Sequence, residues 1–398
     1  MKQSKTAAEK ISTIAKALLE WFSAHARDLP WRRTADPYAV WVSEIMLQQT
    51  QVKTVIPYWV RWMRQLPTLE HLAQAESETL HKLWEGLGYY SRVRNLQKAA
   101  ILIQRDHRGV FPHDFAAMLE LPGIGRYTAG AIASIAFNEP RPILDGNVIR
   151  VLTRQFGIGE NPRDRAANDR LWGLATELVT AAARTSLEIA PRAASSFNQS
   201  LMELGALVCT PKQPQCGVCP VREDCVARRE DRVAELPNLP ARAQVTARHF
   251  VAFALEHQGR YLVRQRPADV VNAQLWEFPN AEFVITSRPP TSAAATRAVF
   301  GVDLPAAQRL CTIKHSITRF RMTLEAYQIN LTSPAPPGFA GEWHNLAELD
   351  ELPFPGAHRK IYAALCQAKL KAPARRPKTP NRASRNPAGP RSRKPAKD

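Results

Sequence analysis

Four closely spaced cysteines constrain this sequence more than any other feature. The pattern C-x6-C-x2-C-x5-C is formed by Cys209, Cys216, Cys219 and Cys225. The other two cysteines, Cys311 and Cys366, lie far away, and thiolates at such density are typical of a metal site. Structural zinc sites usually contain two short C-x2-C pairs, whereas this pattern has one pair with unequal flanks. The spacing therefore favours a [4Fe-4S] cluster and leaves zinc as the alternative.

A short glycine-containing segment, Leu121-Pro-Gly-Ile-Gly125, precedes the cysteines. Its proline should stop one helix, and Gly123 and Gly125 allow the backbone to turn tightly before the next helix begins. Backbone amides at such a turn converge with a helix N-terminus, which can bind a phosphate group. An ordinary helix hairpin is the alternative. A second segment, Pro142–Val148, follows closely and contains Asp145 and Asn147, and the two together favour the phosphate site.

Apolar periodicity predicts a helical domain at residues 1–235. Asp36-Pro37 is a helix start signal, and it places Glu44 inside a helix of mostly apolar residues. Further helices are predicted over 69–85, 91–106, 114–120, 126–137, 147–156, 167–184 and 195–208.

The pattern changes after Arg232, where prolines interrupt a polar stretch. We interpret residues 236–247 as a linker and residues 248–370 as an α+β domain. This second domain is predicted to contain a β-hairpin at 250–264, strands at 308–314 and 320–331, and helices at 291–300 and 356–370.

The net charge of +18 suggests a polyanionic partner, but the charge is unevenly distributed. Residues 369–398 carry eleven Lys or Arg and one acid, a net charge of +10 that leaves +8 for the rest of the chain. The tail at 371–398 is rich in proline and poor in apolar residues, so we expect it to be disordered. It should attract nucleic-acid phosphates without sequence preference, or else merely aid solubility.

Nothing in the sequence suggests export or a membrane. Charged residues interrupt the apolar runs near the N-terminus, and no stretch approaches the roughly 20 apolar residues that span a bilayer. The cysteines outside the group of four form no disulfide framework. We therefore expect a soluble cytoplasmic protein.

The glycine hairpin, the aspartate segment and the cysteines together resemble the helix-hairpin-helix superfamily of DNA glycosylases. Within it, the chain is similar to the MutY family of adenine DNA glycosylases over essentially residues 15–370. Three more segments carry the resemblance: Leu29–Arg32, Trp41–Gln51 and Gly86–Arg92.

The resemblance implies a multidomain protein. Its parts would be an all-α helix-hairpin-helix glycosylase domain with a [4Fe-4S] loop at 209–225, an α+β Nudix-like domain and a disordered basic tail. The resemblance further implies a nucleoid-associated monomer that acts in base excision repair. Its partner would be double-stranded DNA containing A:8-oxoguanine or A:G mispairs, from which it would remove the adenine.

Glu44 and Asp145 form the pair of carboxyl groups that cleavage of a glycosidic bond requires. Apolar neighbours should raise the pKa of Glu44 and keep it protonated, whereas Asp145, beside a Gly-Asn pair near a helix start, should stay ionised. Taken alone, a helical Glu is usually a surface residue and such an Asp is usually a cap. By resemblance, Glu44 protonates N7 of adenine and Asp145 stabilises the oxocarbenium ion or its covalent adduct.

Tyr127 distinguishes two reaction types. By resemblance, Tyr127 and Asn147 support the carboxyl pair, and relatives similar to endonuclease III carry a lysine in place of Tyr127. A lysine amine can form a Schiff base that leads to strand cleavage, and a phenol cannot. The resemblance therefore implies a monofunctional glycosylase that leaves an abasic site.

A base can be excised from a duplex only if it is flipped out and the gap is filled. Gln49 and Tyr89 match family residues that intercalate beside the oxidised guanine, and Leu47 accompanies them. Core positions are the alternative for Leu47 and Tyr89, since both lie in helical contexts. The other expected DNA contacts are Trp31 and Arg32 in the adenine pocket and Gly123 and Gly125 at a phosphate.

The second domain resembles the Nudix-like domain with which the family recognises 8-oxoguanine, on the segments Leu275–Pro279 and Trp343–Leu346. It should not be a hydrolase, because a Nudix site needs clustered Glu residues that bind magnesium, and residues 280–303 contain only Glu282. Many family members carry Phe-Ser-His in the reading loop, where this chain has Ile-Thr-Arg. The candidate lesion-reading residues are Thr318 and Arg319.

Three other functions are compatible with parts of the sequence. A glycosylase–lyase acting on oxidised pyrimidines is disfavoured by Tyr127 and by the extra domain. A catalytically silent iron–sulfur protein that binds DNA is disfavoured by Glu44 and Asp145. A Nudix hydrolase is disfavoured by the missing metal ligands.

Overall fold

The chain folds into a helical part followed by an α+β part. A computed structural model describes residues 6–185, 190–241, 244–283, 292–302, 304–317, 319–332 and 341–371. The basic tail was predicted to be disordered, and its residues from 372 onward lie outside these ranges. No helix in the described ranges has the length and apolar character needed to cross a membrane.

Helices of the helical part follow the predicted pattern with one exception. They are α1 (Ala7–His25), α2 (Pro37–Leu47), α3 (Val52–Gln65), α4 (Leu69–Gln74), α5 (Ser77–Trp84), α6 (Ser91–Asp106), α7 (Phe115–Glu120), α8 (Arg126–Ile135), α9 (Gly146–Phe156), α10 (Arg165–Ala183), α11 (Ala193–Leu207) and α12 (Val226–Arg229). Short 3-10 turns lie at Pro30–Arg32, Cys216–Val218 and Arg222–Asp224.

The single helix predicted over 69–85 was wrong, because the chain forms α4 and α5 there. Ala75 and Glu76 adopt extended backbone between them. The side chain of Gln97 donates to the Ala75 carbonyl oxygen at 2.6 Å, which supplies the hydrogen bond that a continuous helix would have made.

Helix α2 runs through the centre of the helical part. The Asp36 side chain caps it by accepting hydrogen bonds from the Tyr38 and Ala39 amides, and Pro37 occupies its first position. All nine residues from Tyr38 to Met46 are buried, so the helix has no solvated face. Glu44 is therefore carried into the core by an otherwise apolar helix.

The α+β part is built on one mixed sheet. Its elements are β1 (Thr246–His257), β2 (Arg260–Gln265), β3 (Trp276–Glu277), β4 (Asn280–Phe283), α13 (Ser292–Phe300), β5 (Gln308–Ile317), β6 (Phe320–Asn330), β7 (Glu342–Asn345), α14 (Leu346–Glu351) and α15 (Gly356–Lys371). The strand order is β3-β2-β1-β6-β5, with β4 paired to β1 and β7 paired to β2. Strands β1 and β6 are parallel, and the other pairs are antiparallel.

The predicted hairpin joins β1 to β2. Gln258 and Gly259 both have positive φ (51° and 81°), as a tight two-residue hairpin turn requires. Because β1 alternates its side chains, Ala252 and Ala254 face a cluster that includes α15, whereas Phe253 faces a cluster with Phe300 of α13. Helices thus cover both faces of the sheet.

Helix α15 docks on the end of α5 in the helical part. Arg359 makes a bidentate ion pair with Glu85, at 2.7 and 2.9 Å, and Glu85 also accepts from the Phe354 amide. Leu275 is fully buried in the core of the helical part, although it belongs to the α+β part. At the other boundary, Leu236 is buried and its carbonyl accepts from Arg154 at 2.9 Å, one residue beyond the predicted end of the helical domain.

One glycine sets the distance between α8 and the segment that leads to α9. A Cβ atom at Gly130 would collide with the Pro142 carbonyl oxygen, whereas one at Gly173, in the exposed face of α10, would meet no atom within 4 Å. The close approach at Gly130 brings the start of α8 and the start of α9 together.

We expect Gly130→Ala to destabilise the protein by about 1–3 kcal/mol, because the backbone at Pro142 must move. The matched change Gly173→Ala should be neutral or should stabilise by up to about 1 kcal/mol, since alanine is the better helix former. Chemical denaturation of both variants measures the difference. Equal stability of the two would show that the Gly130 contact does not constrain packing.

Candidate active site

Glu44 and Tyr127 form a buried hydrogen-bonded pair. The Tyr127 hydroxyl, in the first turn of α8, donates to Glu44 Oε2 at 2.7 Å and lies 3.4 Å from Met202 Sδ. Burial raises the pKa of Glu44 to about 7, the Tyr127 hydrogen bond lowers it, and the nearby Asp145 charge raises it. This confirms the predicted shift. Burial also raises the pKa of Tyr127 well above its usual value, so the phenol stays neutral.

Asp145 is the N-cap of α9. Its Oδ1 accepts from the Val148 amide at 2.7 Å, and its Oδ2 accepts from the Asn147 side chain at 3.0 Å. Burial nevertheless outweighs these hydrogen bonds and raises the pKa of Asp145 above its usual value. The flanking residues predicted only that Asp145 stays ionised, and they did not predict this upward shift, because the sequence cannot show how deeply the cap is buried.

Both carboxyl groups line one cavity of about 510 Å³. Eight of the residues predicted to carry function share its wall, namely Trp31, Arg32, Glu44, Leu47, Gln49, Tyr127, Asp145 and Asn147. Tyr89, Gly123, Gly125 and Arg319 do not line it. The cavity therefore brings the four residues predicted for chemistry together with four of the predicted DNA contacts, Trp31, Arg32, Leu47 and Gln49.

An ion-pair cluster in this cavity was not predicted from the sequence. Glu203 on α11 is buried and accepts bidentate hydrogen bonds from Arg27, at 2.8 and 2.7 Å, and from Arg32, at 3.2 and 3.0 Å. Although burial would raise it, these hydrogen bonds hold the pKa of Glu203 at about 2. Glu203 lies in an apolar helix, as Glu44 does, and that shared context was the signal that could have identified it.

Two neighbouring loops flank the end of α2, and we call residues 48–51 and 85–90 the paired loops. Gln49 and Tyr89 are both exposed, and both have left-handed backbone, with φ of 58° and 47°. Non-glycine residues seldom adopt this conformation, so the surrounding contacts must hold these two residues in it.

The glycine hairpin between α7 and α8 differs in detail from its prediction. Gly123 has φ of 80°, and a Cβ there would approach the Asn95 Cβ at 2.8 Å. Gly125 is instead an extended N-cap with open space around it. Only Gly123 therefore makes the tight turn, whereas Gly125 leaves the first amides of α8 accessible.

The four cysteines line one small cavity of about 30 Å³ against α9. Within the described ranges, no three His, Cys, Asp or Glu side chains are close enough to hold a single metal ion. Arg154 Nη1 lies 3.4 Å from Cys209 Sγ, and the Cys225 thiol donates to the Arg154 carbonyl oxygen at 3.5 Å. Backbone amides of Val221 and Arg228 hydrogen-bond to Cys219 and Cys225 respectively. Donors directed at sulfur are what a bound thiolate cluster needs.

Helix α9 links the two carboxyl groups to the cysteines through Arg150. Its guanidinium donates to Asn147 Oδ1 at 2.8 Å, to the Gly205 carbonyl at 2.6 Å and to the Cys209 carbonyl at 2.7 Å. One side chain therefore connects the partner of Asp145 with the backbone of the first cysteine.

In the α+β part, the predicted reading loop is the turn between β5 and β6. Arg319 is exposed, and its guanidinium lies 5.2 Å from the Phe320 ring centre, as does that of Arg248. Thr318 lies outside the described residues. Glu282 is engaged in an ion pair with Arg248.

Three families match parts of the chain. Residues 42–177 match the HhH-GPD superfamily base excision DNA repair proteins, residues 209–225 match the iron–sulfur binding domain of endonuclease III, and residues 250–364 match the NUDIX domain. The match at 209–225 begins and ends on the first and last of the four cysteines.

Relatives match over most of the chain. The adenine DNA glycosylase of Homo sapiens is 34% identical over 415 residues, covering 89% of this chain and 74% of the human protein. This chain belongs to the adenine DNA glycosylase family. That of Buchnera aphidicola subsp. Schizaphis graminum is 35% identical, covering 68% of this chain and 75% of the relative. A solved structure of a thermostable thymine-DNA glycosylase is 27% identical over 56% of this chain and 97% of its own, with a TM-score of 0.48.

The protein is thus a DNA glycosylase of base excision repair, a hydrolase of N-glycosidic bonds, and it carries an iron–sulfur cluster. Burial raises the pKa of Cys219 to about 11 and also raises that of Cys225, so these thiols need the bound metal to remain ionised. The cluster would cross-link the loop from Cys209 to Cys225 and hold it against α9.

The raised pKa of Glu44 predicts a pH-dependent stability. The folded value is about 7 against an ordinary 4.5, so the unfolded chain loses this proton first and stability falls as pH rises from 4.5 to 7. Glu44→Gln removes this titration. The variant should gain up to about 3 kcal/mol over the wild type between pH 5 and pH 8, as measured by denaturation.

Glu177→Gln, on the exposed face of α10, is the matched control and should show no such pH-dependent gain. A stability difference between Glu44→Gln and the wild type that is the same at every pH would mean that Glu44 ionises normally.

The four cysteines should be the only ones that bind iron. Purified protein should be yellow-brown with about four iron atoms per chain, and Cys216→Ser should lose most of that iron and absorbance. Cys311→Ser and Cys366→Ser are matched controls and should keep both. Iron retained in Cys216→Ser, or lost from either control, would contradict the assignment of the ligands.

Proposed function

We propose that this glycosylase removes adenine paired with 8-oxoguanine or guanine and leaves an abasic site. The observation that carries this proposal is the pair of buried carboxyl groups, Glu44 and Asp145, in one cavity with different hydrogen-bond partners. Two carboxyl groups in different environments are the usual arrangement for glycosidic bond cleavage.

Glu44 is the proposed general acid. A pKa of about 7 leaves a large fraction of its carboxyl groups protonated near neutral pH. Since Oε2 accepts the hydrogen bond from Tyr127, Oε1 is left to carry the proton toward the cavity. Transfer of that proton to N7 of adenine would make the base a better leaving group as the bond to the sugar breaks.

Asp145 is the proposed electrostatic partner. As the sugar–base bond breaks, positive charge develops on the sugar, and an ionised carboxylate facing it would stabilise the oxocarbenium ion. The Val148 amide and Asn147 side chain hydrogen-bond to the ionised form, and the N-terminus of α9 favours it. Arg150 in turn holds Asn147 in place.

The proposed reaction stops at base removal. Tyr127 faces Glu44 where a lyase would need an amine, and its phenol cannot form a Schiff base with the sugar. Among the described residues that line the cavity there is no lysine. Water would therefore add to C1′ of the sugar cation and release a proton, which gives an abasic sugar in an intact strand.

DNA contacts are proposed around the cavity mouth. Gln49 and Tyr89, exposed on the paired loops, would fill the gap left by the flipped adenine, with Leu47 behind them. Trp31 and Arg32 line the cavity and would contact the base. The amides that follow Gly123 and Gly125 would bind a phosphate. The enzyme is proposed to act as a monomer on double-stranded DNA.

Recognition of 8-oxoguanine is proposed for the α+β part. Arg319 and Arg248 both lie over Phe320 at one end of the sheet, which gives that end a cationic and aromatic surface suited to a damaged base. Glu282 is ion-paired with Arg248 and is therefore not free to bind magnesium, which argues against magnesium-dependent hydrolysis there. The domains are proposed to divide at the linker 236–247, with chemistry before it and lesion recognition after it.

Single-turnover excision on an A:8-oxoguanine duplex tests the chemistry. Glu44→Gln and Asp145→Asn should each lower the rate by roughly 10²–10⁴ while mispair binding survives, because each change keeps shape but removes a proton or a charge. Asp114→Asn, which alters the similar N-cap of α7, is the matched control and should excise normally. Strands cleaved without alkali, or near-normal rates in either variant, would contradict the proposal.

The ratio of excision rates on A:8-oxoguanine and A:G duplexes tests the lesion reader. A chain ending at Ala241, which keeps the buried Leu236, should retain slow excision and lose most of that ratio. Arg319→Ala should lower the ratio by the factor that corresponds to the loss of one base contact, roughly 1–3 kcal/mol. Arg260→Ala should leave the ratio unchanged, because Arg260 pairs with the end of β1 that is far from Phe320. A shortened chain with the full ratio would exclude the α+β part as the reader.

A further inference from the structure

One arginine joins the paired loops to each other and to α2. Arg92, in the first turn of α6, extends its terminal guanidinium nitrogens between the two loops. Nη1 donates to three carbonyl oxygens at the end of α2, those of Ile45 (2.7 Å), Met46 (3.3 Å) and Gln48 (2.8 Å). Nη2 donates to two in the other loop, those of Leu87 (2.8 Å) and Gly88 (3.0 Å). A single planar group therefore binds five backbone oxygens from two segments.

Aromatic rings enclose this guanidinium. Its central carbon lies 5.2 Å from the Trp84 ring centre and 5.7 Å from that of Tyr89, and Trp84 Nε1 donates to the Gly88 carbonyl at 3.1 Å. Within the described ranges, Arg92 Nε is buried without a hydrogen-bond partner. Burial lowers the pKa of Arg92 to about 10, so the group remains a cation at neutral pH.

Stability of α6 does not account for a cation at this position. A positive charge in the first turn of a helix opposes the helix dipole, and desolvation of the charge adds a further penalty. What the charge does satisfy is the group of carbonyl oxygens at the end of α2, which have no partner inside that helix. The contact thus serves the paired loops and not the helix that carries it.

We propose that Arg92 is a positioning residue that holds Gln49 and Tyr89 in register with each other and with Glu44. The inference rests on the proposed function, in which Gln49 and Tyr89 fill the gap left by the flipped adenine. Gln49 directly follows Gln48, and Tyr89 directly follows Gly88, and the carbonyl oxygens of Gln48 and Gly88 both accept hydrogen bonds from Arg92. Gln49 and Tyr89 also have left-handed backbone, which other contacts must stabilise. Glu44 immediately precedes Ile45, whose carbonyl oxygen also accepts from Arg92. Arg92 therefore binds the segments that carry both the acid and the two gap-filling residues.

Lysine could not replace this arginine. Its ammonium group is a point charge with three donors, whereas the guanidinium sends Nη1 to one loop and Nη2 to the other in a fixed plane. Arg92→Lys keeps the charge and removes the bridge. Arg94→Lys makes the same change two residues along α6, where none of the gripped carbonyls is involved, and is the matched control.

A double-mutant cycle in the full-length holoenzyme tests the proposal by single-turnover excision on the A:8-oxoguanine duplex. Arg92→Lys should lower the rate roughly ten- to a hundredfold in the wild-type background, as expected for misplaced groups, and Arg94→Lys should not. In the Gln49→Ala, Tyr89→Ala double variant, Arg92→Lys should lower the excision rate less than about threefold, because the side chains that Arg92 positions are absent. Iron content and melting temperature report whether each variant is folded.

A full ten- to hundredfold loss in both backgrounds would overturn the proposal, because Arg92 would then act through other groups. A wild-type excision rate for Arg92→Lys would overturn it as well. If Gln49→Ala, Tyr89→Ala alone excises normally, the gap-filling part of the proposed function fails, and this inference fails with it. If Arg92→Lys does not fold, Gly88→Ala can replace it in the double-mutant cycle, because an alanine at φ of 69° strains the loop 85–90 that Arg92 binds. Its loss must likewise shrink in the double-variant background, and an undiminished loss would overturn the proposal.

Discussion

Burial of an ionisable carboxyl group inside an apolar helix is the constraint on which the candidate active site depends. Glu44 lies on α2 with no solvated face, and its Oε2 is satisfied by the Tyr127 hydroxyl from α8. That hydrogen bond requires α8 to start at a defined place, which the turn at Gly123 and the close approach of Gly130 to Pro142 provide. The same approach brings Asp145 to the cavity, so the glycine hairpin positions both carboxyl groups.

Helix α9 carries the second half of the site and connects it to the cysteine loop. Asp145 caps its first turn, Arg150 joins Asn147 to the Cys209 carbonyl, and Arg154 contacts the sulfur of Cys209. An iron–sulfur cluster that cross-links this loop would therefore also fix the end of a chain of hydrogen bonds that reaches the cavity lined by Glu44 and Asp145. Glu203, on the helix that leads into Cys209, accepts hydrogen bonds from Arg27 and Arg32 in the same cavity.

Much of this arrangement could be predicted from the sequence where the signal is local. The cap at Asp36-Pro37, the two-residue turn at Gln258-Gly259 and the cysteine spacing each depend on a few adjacent residues, and the structure and the family matches agree with them. The break between α4 and α5 could not be predicted, because Gln97 supplies the missing hydrogen bond from another helix. The upward shift of the Asp145 pKa could not be predicted, because burial depends on distant segments.

The sequence by itself determined the order of the helical and α+β parts, the cysteine segment that matches an iron–sulfur domain and the two carboxyl-bearing segments, since residue type and spacing decide these. Only the tertiary structure decided which side chains meet. The Glu203 cluster with Arg27 and Arg32, the Arg92 bridge between the paired loops and the Glu85–Arg359 contact all join residues far apart in the chain. Their partners are chosen by packing and by the need to satisfy buried charge, and neither is encoded in a local pattern of residues.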